Sequence, residues 1–342
     1  MISELTRDRF RRFKRIRRAH YSFWLLGIAF IISLFSEFIA NDKPLYLRYM
    51  GKSYFPVLTF YSSETFGGRY RTEADYPALK KNTQFKRHGF MIFPIIPHGP
   101  FRSYLEMEGS PPHPPSQKNW LGTDSVARDV LTRLLYGFRT CMIFSLCLMV
   151  MGAILGIIIG GIQGYLGGVV DIVVQRLIEI WSSLPFLYLV ILVGSIYGRN
   201  FILLLAVMAI FQWIGLSYYM RGEFLRLKNL TYVKVARALG IGPVSIFFRQ
   251  ILPNALIPVI TIMPFSLIGG ITALTALDFL GFGLPPPAPS WGEMLSQGLN
   301  NLYAPWIAIS TVAALFTTLL LATFIGEGVR EAFDPKAEYR IE

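Results

Sequence analysis

Six apolar runs, each long enough to cross a bilayer, limit what this chain can fold into. A transmembrane α-helix needs about 20 consecutive apolar residues, because each residue adds about 1.5 Å and the hydrocarbon core is about 30 Å thick. Hydrophobic residues make up 53% of the 342 residues and charged residues only 16%, a combination that soluble domains rarely show. The sequence therefore predicts an all-α polytopic membrane protein with six transmembrane helices. The predicted helices cover residues 21–40, 139–164, 169–197, 201–225, 255–279 and 305–325.

The second predicted helix contains repeated glycines, in the stretch GAILGIIIGGIQGYLGG. Small residues at such spacings let transmembrane helices approach each other closely. We therefore expect a packed helix bundle rather than isolated membrane anchors.

The 33 lysines and arginines are distributed unevenly, and their positions predict the orientation of the chain. Eight lie within residues 1–20, six lie between Arg221 and Gln250, and the segment 280–304 contains none. Cytoplasmic loops of membrane proteins are enriched in lysine and arginine. We therefore expect both termini and the loop 226–253 to be cytoplasmic and 280–304 to lie on the outer side. This distribution accounts for the net charge of +12 and disfavours nucleic-acid binding.

The segment 41–119 separates the first two predicted helices and forms an outer insert. It holds ten of the 21 prolines, and stretches such as YFPVLTFY have the composition of short strands. Prolines limit how regular such a sheet can be. Two compatible interpretations remain open: a small β-rich cap, or a lid or docking surface for a soluble delivery protein.

The segment NWLGTDSVARDVLTRLLYG precedes the second predicted helix. Asp124 or Ser125 can cap a helix that keeps Arg128 and Arg133 on its polar side. The apolar side contains Val126, Val130, Leu131, Leu134 and Leu135. This pattern predicts an amphipathic helix over 120–138 at the outer membrane surface. The complete predicted order is a basic segment (1–20), a first transmembrane helix (21–40), the outer insert (41–119), the amphipathic helix (120–138), a five-helix core (139–330) and a cytoplasmic tail (331–342).

Within the loop 226–253, a short helix is predicted over 231–239. Its periodicity places Tyr232, Val235, Ala236 and Leu239 on one side, and Lys234 and Arg237 elsewhere. Gly240 is positioned to end this helix, and a second helix leads to Pro253 at the start of the fifth transmembrane helix. The pattern alone fits either an interfacial turn or a rigid bent element joined to a membrane helix.

Motifs for catalysis, nucleotide binding or metal binding are absent from the sequence. There is no GxxxxGK[ST] phosphate loop, no HExxH and no GxSxG, so we expect a chain that is not an enzyme and binds no metal or cofactor. Glu179 is the acid deepest within a predicted helix, and Arg176 precedes it by three residues. Structural pairing of these two residues and a role in a pore both remain open.

The loop 226–253 resembles the EAA loop of the permease subunits of bacterial ABC importers. Ala236, Gly240 and the QILPN stretch match that pattern, whereas Lys234 and Val235 stand where the family has Glu and Ala. The resemblance implies that the loop contacts an ATPase. The residues expected to form that contact are Lys234, Val235, Ala236, Arg237, Gly240, Ile251, Leu252 and Pro253.

Three further stretches are similar to the dipeptide/oligopeptide branch of these permeases. They are LGTDSVARDVLTRLLYG, LDFLGFGLPPPAPSWGEML and PWIAISTVAALFTTLLLATFIGEGVREAFDP, and the resemblance covers residues 120–335. The outer-side motif residues are Gly122, Thr123, Asp124, Arg128, Asp129, Gly281, Gly283, Pro289, Ser290, Trp291 and Gly292. The stretch SEFIANDKP at the start of the insert narrows the resemblance to importers of oligopeptides and microcin C.

The resemblance implies the type I permease fold of ABC importers, with a periplasmic insert between helices 1 and 2, in the bacterial inner membrane. The implied partners are a second permease subunit, one or more ABC ATPase subunits, a periplasmic peptide-binding protein and membrane lipid. ATP and Mg²⁺ belong to the partner ATPase in this scheme, and no cofactor to this chain. The alternative is a secondary transporter or channel that works alone.

Overall fold

The computed structural model describes residues 4–107 and 109–333, so most of the predicted tail 331–342 lies outside the described residues. The chain forms two compact units. The first contains the chain up to Gly27, residues Cys141–Pro285 and the chain from Phe316; the second contains Ile28–Thr140 and Pro286–Leu315.

The elements are as follows, in chain order. The helices are α1 (Glu4–Arg15), α2 (Arg17–Leu34), α3 (Ser36–Ile39), α4 (Tyr76–Lys81), α5 (Thr83–His88), α6 (Val130–Leu166), α7 (Gly168–Ser182), α8 (Phe186–Tyr197), α9 (Phe201–Leu227), α10 (Thr231–Ala238), α11 (Pro243–Ser245), α12 (Leu252–Phe279), α13 (Trp291–Asn300) and α14 (Pro305–Phe333). The strands are β1 (Tyr46–Tyr49), β2 (Lys52–Tyr54) and β3 (Gly89–Ile92). A 3₁₀ turn covers Ser63–Phe66 and a π-helical segment covers Ile246–Ile251.

Among the described residues, four helices are long and apolar enough to cross a membrane. They are α6, α9, α14 and the continuous helix Pro243–Phe279 that includes α12. The pair α7 and α8 makes a fifth if it is counted as one span, although the two helices are bent by 69°. The predicted count of six is therefore not confirmed. The first predicted helix corresponds to α2, which has two arginines in its first turn and ends at Leu34.

The predicted helix over 169–197 is broken between Ser182 and Phe186. Pro185 lies in this break, where its ring and missing N–H prevent the helix from continuing. The prediction of one continuous helix here was wrong.

The predicted amphipathic helix over 120–138 was also wrong, because α6 begins only at Val130. Before Val130 the chain forms a turn, in which the Asp124 side chain accepts hydrogen bonds from the backbone N–H groups of Val126 and Arg128 at 3.0 and 2.9 Å. Aspartate often satisfies nearby backbone donors in this way in place of capping a helix. From Val130 onward, the second predicted membrane helix and the residues before it form one helix.

Within the first unit, the glycines of α6 allow close packing against α9, which confirms that expectation. A Cβ atom at Gly164 would lie 2.5 Å from the carbonyl oxygen of Arg221, and one at Gly156 would lie 2.9 Å from the Leu216 Cβ. Gly152 and Gly160 face the same helix at similarly short range. The backbones therefore approach more closely than any larger residue would allow.

The outer insert contains a small antiparallel sheet in the order β2-β1-β3. Leu47 pairs with Tyr54 across the first pair of strands, and Tyr46 pairs with Ile92 across the second. Of the stretch YFPVLTFY only Tyr54 belongs to a strand, since Pro56 cannot donate to a sheet ladder. The sheet covers a buried cluster of mostly aromatic residues: Leu47, Tyr49, Phe66, Ala74, Tyr76 and Phe85.

The ion pair of Asp75 and Arg102 is expected to make the insert sensitive to acid. Two guanidinium nitrogens of Arg102 donate to the Asp75 carboxylate at 2.7 and 3.0 Å, and Asp75 also accepts from the Ala78 N–H at 3.1 Å. Burial alone would raise the pKa of Asp75, but these hydrogen bonds outweigh it and lower the pKa below its ordinary value. The pair therefore stabilises the insert above the unfolded-state pKa of about 4, and this stabilisation is lost as the pH falls through the lower folded-state pKa.

Arg102→Gln should lower the stability of the insert by about 0.5 kcal/mol at neutral pH, because Asp75 is half exposed and solvent screens the pair. Hydrogen exchange of the α4 amides in the full-length protein would measure this loss. The difference from wild type should vanish once the pH falls below the folded-state pKa of Asp75; a difference that persists unchanged in acid would contradict the assignment.

Candidate functional site

The loop 226–253 forms a short helix, a tight glycine joint and a second helical arm. The joint is a Schellman motif: the Ile241 N–H donates to the Ala236 carbonyl and the Gly240 N–H to the Arg237 carbonyl, both at 3.1 Å. Gly240 has φ +78°, a left-handed conformation that glycine adopts without steric cost. Gly240 therefore ends α10 as the sequence predicts.

The second arm continues without interruption into a membrane-length helix. It starts at Pro243, passes through the π-helical segment and merges with α12, so that one helix runs over Pro243–Phe279. Pro253 lies in the first turn of α12, as predicted. The π-helical segment was not visible in the sequence pattern; such segments are rare and frequently occur at functional sites.

Both arms are fixed to α9 by a shared apolar core. Val233 of α10 and Ile246 and Ile251 of the second arm are buried together with Met220 and Phe224 of α9. The Lys228 Nζ, just after α9, donates to the Gly164 carbonyl at 2.8 Å and so satisfies a carbonyl near the end of α6. The loop is therefore a packed structure rather than a loose connection.

The apolar residues predicted to share one side of α10 are not all on the same side in the structure. Ala236 is buried together with Val233, whereas Tyr232, Val235 and Leu239 are exposed, Leu239 to 75%. The remaining predicted contact residues divide likewise: Ile251 is buried, Leu252 is half-buried, and Lys234, Arg237, Gly240 and Pro253 are exposed. α10 thus presents large apolar side chains flanked by cations.

In the second unit, two arginines and two acids form a buried cluster. Arg128 donates to Asp124 at 2.7 Å and to Glu293 at 2.8 Å. Arg133 lies 3.5 Å from Asp124 and also pairs with Glu293. Because each charge has an opposite partner, the cluster is neutral as a whole, which burial of ionised groups requires.

Arg133 was expected on a polar surface, but its side chain is fully buried. Its Nη1 donates to the carbonyls of Pro100 and Pro287 at 3.2 and 3.3 Å. A guanidinium can donate to several acceptors at once, so this one residue joins the insert, α6 and the segment before α13. Arg133 and Glu293 are the members of the cluster that sequence reasoning missed.

Three of the predicted motif residues fix the ends of the two helices at the cluster, α6 and α13. Asp129 caps α6 by accepting from the Thr132 N–H at 2.8 Å, and Ser290 caps α13 by accepting from the Glu293 N–H at 3.4 Å. The Trp291 indole donates to the Leu134 carbonyl at 3.0 Å. The predicted residues Gly122, Thr123, Pro289 and Gly292 lie in these same two segments, whereas Gly281 and Gly283 belong to the first unit.

Comparisons with known proteins show the family of this chain. The family described as "Binding-protein-dependent transport system inner membrane component" matches residues 152–339. The chain belongs to this family. It is the permease component of an ABC transporter, a multi-pass inner-membrane protein that is not itself the catalytic subunit.

Two similar proteins match this permease over nearly its whole length. It is 45% identical to the inner membrane ABC transporter permease protein YejE of Escherichia coli K12, over 98% of each chain. It is 43% identical to the peptidoglycan transport system permease protein YejE of Agrobacterium fabrum, over 99% of this chain and 95% of that protein. The oligopeptide transport system permease protein OppC of Haemophilus influenzae is 36% identical over 64% of this chain. A binding-protein-dependent system of this kind implies an ATPase and a binding protein as partners.

Replacing Arg133 tests whether the buried cluster stabilises the permease. Arg133→Gln should reduce the free energy of unfolding by about 3 kcal/mol or more, because the fully buried Asp124 and the largely buried Glu293 would then share a single cation, Arg128. Thermal unfolding of the purified protein measures the effect. Arg139→Gln is the matched control, since Arg139 lies on the same helix and pairs with the partly exposed Glu37; it should cost less than about 1 kcal/mol. Equal losses in the two variants would argue against the cluster.

Proposed function

We propose that this permease pairs with a second permease subunit to form the path by which oligopeptides cross the bacterial inner membrane. In this proposal both termini and the loop 226–253 are cytoplasmic, and the insert 41–119 lies in the periplasm, where a peptide-binding protein delivers the substrate. An ABC ATPase binds the loop and supplies the energy. The observation that carries the proposal is the rigid connection of α10 to a membrane-length helix.

The exposed side of α10 supports the ATPase contact. Tyr232, Val235 and Leu239 remain exposed although Val233 and Ala236 bury the opposite side. Exposed clusters of large apolar side chains mark interaction surfaces. Because Lys234 and Val235 replace the Glu and Ala of the family pattern, we expect the ATPase to meet this chain through apolar contact and through acids that face Lys234 and Arg237.

The joint at Gly240 supports transmission of movement to the membrane helices. α10 packs on α9 and on the second arm, and the second arm is continuous with α12. Close-packed elements move together because interiors have low compressibility. A displacement of α10 by the ATPase would therefore reach α12 and α9.

The names of similar proteins support a peptide as substrate. The Haemophilus influenzae protein is an oligopeptide permease, and the Agrobacterium fabrum protein belongs to a peptidoglycan transport system. We propose linear oligopeptides as the main substrate, including peptide antibiotics such as microcin C. Peptides derived from peptidoglycan are the second candidate, favoured by the second of these names.

The ATPase contact predicts the effect of a charge on the exposed side of α10. Leu239→Asp should reduce the ATPase that co-purifies with the permease by about tenfold, because the carboxylate would lose water on binding without gaining a partner. Quantitative co-purification from mild detergent measures this. Leu302→Asp is the control, an equally exposed leucine at the start of the segment before α14, and it should leave the ATPase bound. Full retention of the ATPase by Leu239→Asp would exclude this surface.

A substitution that strains the backbone at Gly240 should uncouple ATP hydrolysis from peptide uptake. Gly240→Val should lower ATP-dependent peptide uptake about tenfold while ATP hydrolysis continues, because a β-branched residue strains the left-handed joint. A Cβ atom at Gly240 or at Gly242 would touch nothing, but Gly242 has φ −64°, so Gly242→Val is the matched control and should transport normally. Equal uptake by the two variants would contradict a role for the joint.

Uptake into proteoliposomes that contain the whole complex tests the function itself. Labelled linear peptides, microcin C and peptidoglycan-derived peptides, each with its binding protein, separate the substrate candidates. Uptake should require ATP. Uptake by this chain alone without ATP would support a secondary transporter or channel instead.

A further inference from the structure

A stripe of polar residues runs along one side of α7 and ends at its break. The residues are Gln175, Arg176, Glu179, Ser182 and Ser183. Their spacing of one, three or four residues places them on a common side of a helix with 3.6 residues per turn. The other residues between 172 and 184 are apolar, so the stripe is a distinct feature of this helix.

The stripe lies near the middle of the membrane-length helices. The Trp181 indole donates to the Ile210 carbonyl at 3.2 Å, and its ring stacks on Phe211 at 6.0 Å between centroids, so this turn of α7 is level with that part of α9. Ile210 follows the start of α9 at Phe201 by nine residues, or about 14 Å along a helix. This turn of α7 is therefore level with the interior of a membrane-length helix, away from both of its ends.

Two charged pairs of α7 differ in their surroundings. Asp171 pairs with Arg221 of α9 at 2.5 and 2.7 Å, and its side chain is only 13% exposed. Arg176 pairs with Glu179 on α7 itself at 2.5 Å, and the two side chains are 71% and 43% exposed. The first pair holds two helices together, whereas the second faces outward.

Charges at this depth cannot be left facing lipid, because ionisable residues within the membrane face a bundle interior or a water-filled cavity. Glu179 can occupy only part of the five N–H donors of the Arg176 guanidinium. The Ser182 and Ser183 hydroxyls donate to the carbonyls of Glu179 and Ile180, which leaves their oxygens able to accept. At the break itself, the start of α8 has no side-chain cap. The remaining guanidinium donors, the serine oxygens and the N–H groups at the start of α8 can each bond to water or to a polar substrate.

We infer that this stripe lines the aqueous path of the transporter and that Arg176 and Glu179 bind the charged groups of the peptide in transit. Arg176 suits a carboxylate, which it can contact through two parallel N–H groups, and Glu179 suits an ammonium. A peptide with free termini carries both. This inference rests on the proposed function, and it assigns substrate-contacting residues to this chain.

Cysteine accessibility in the assembled transporter tests the location of the stripe. Ser183→Cys should react with a charged, membrane-impermeant methanethiosulfonate at least about tenfold faster than Leu177→Cys, and transported peptide should slow its reaction. Leu177 is the control because it is 60% exposed on the opposite side of α7. Wild type gives the background rate, since Cys141 is buried and Cys147 half-buried. Equal rates at the two positions would place the stripe against lipid or the second permease and overturn the inference.

Neutralising the pair tests its role. Arg176→Gln combined with Glu179→Gln leaves no unpaired charge and should lower ATP-dependent uptake of a free-terminus peptide about tenfold, with a much smaller loss for the same peptide acetylated and amidated. Asp8→Asn with Arg11→Gln removes another acid–arginine pair three residues apart, on α1 and outside the proposed path, and should leave uptake unchanged. Equal losses for both peptides would show a structural pair only and contradict the inference. Absence of ATP-dependent uptake by the wild-type complex would instead refute the proposed function.

Discussion

The hydrocarbon core of a membrane offers no hydrogen-bond partners, so the polar groups of a membrane-spanning chain must bond to one another or to water. The main chain satisfies itself in long helices such as α6 and α9, as membrane-spanning segments must. Asp171 and Arg221 satisfy each other between α7 and α9 through two hydrogen bonds. Arg176 and Glu179 bond to each other, but Glu179 cannot satisfy all five N–H donors of the guanidinium. For this reason we assign the α7 stripe to the aqueous path.

Close packing between helices bears on how a displacement of α10 reaches the membrane-length helices. Glycines bring α6 against α9, and a single apolar core joins α9, α10 and the start of α12. A rigid group of helices can transmit a small displacement at α10 over the length of α12 without a flexible hinge inside the membrane. The glycine joint fixes the direction of α10 by its backbone conformation, since a Cβ atom at Gly240 would meet no neighbour.

Particular residues show how far sequence reasoning reached. Gly240 and Pro253 lie where predicted, because the end and the start of a helix depend on local backbone chemistry. Pro185 divides the helix predicted over 169–197 into two, which apolar length alone did not indicate. Arg133 was placed on the wrong side of its helix. Helical periodicity could not show that Glu293, 160 residues further on, would take up a buried guanidinium. The exposure of Leu239 was not predicted for the same reason. Which side of α10 is buried depends on contacts with α9 and the second arm.

The sequence by itself determined the class of protein, the positions of four membrane-length helices, the end of α10 and the start of α12. These depend on apolar length, on proline and glycine backbone chemistry, and on interactions between residues a few positions apart. Only the tertiary structure decided which charges are paired in the interior and which face outward. Arg133 and Arg176 are both helical arginines followed directly by apolar residues, yet one is enclosed by distant carboxylates and carbonyls and the other is not. The free energy of a charge depends on its surroundings, and distant segments supply those surroundings.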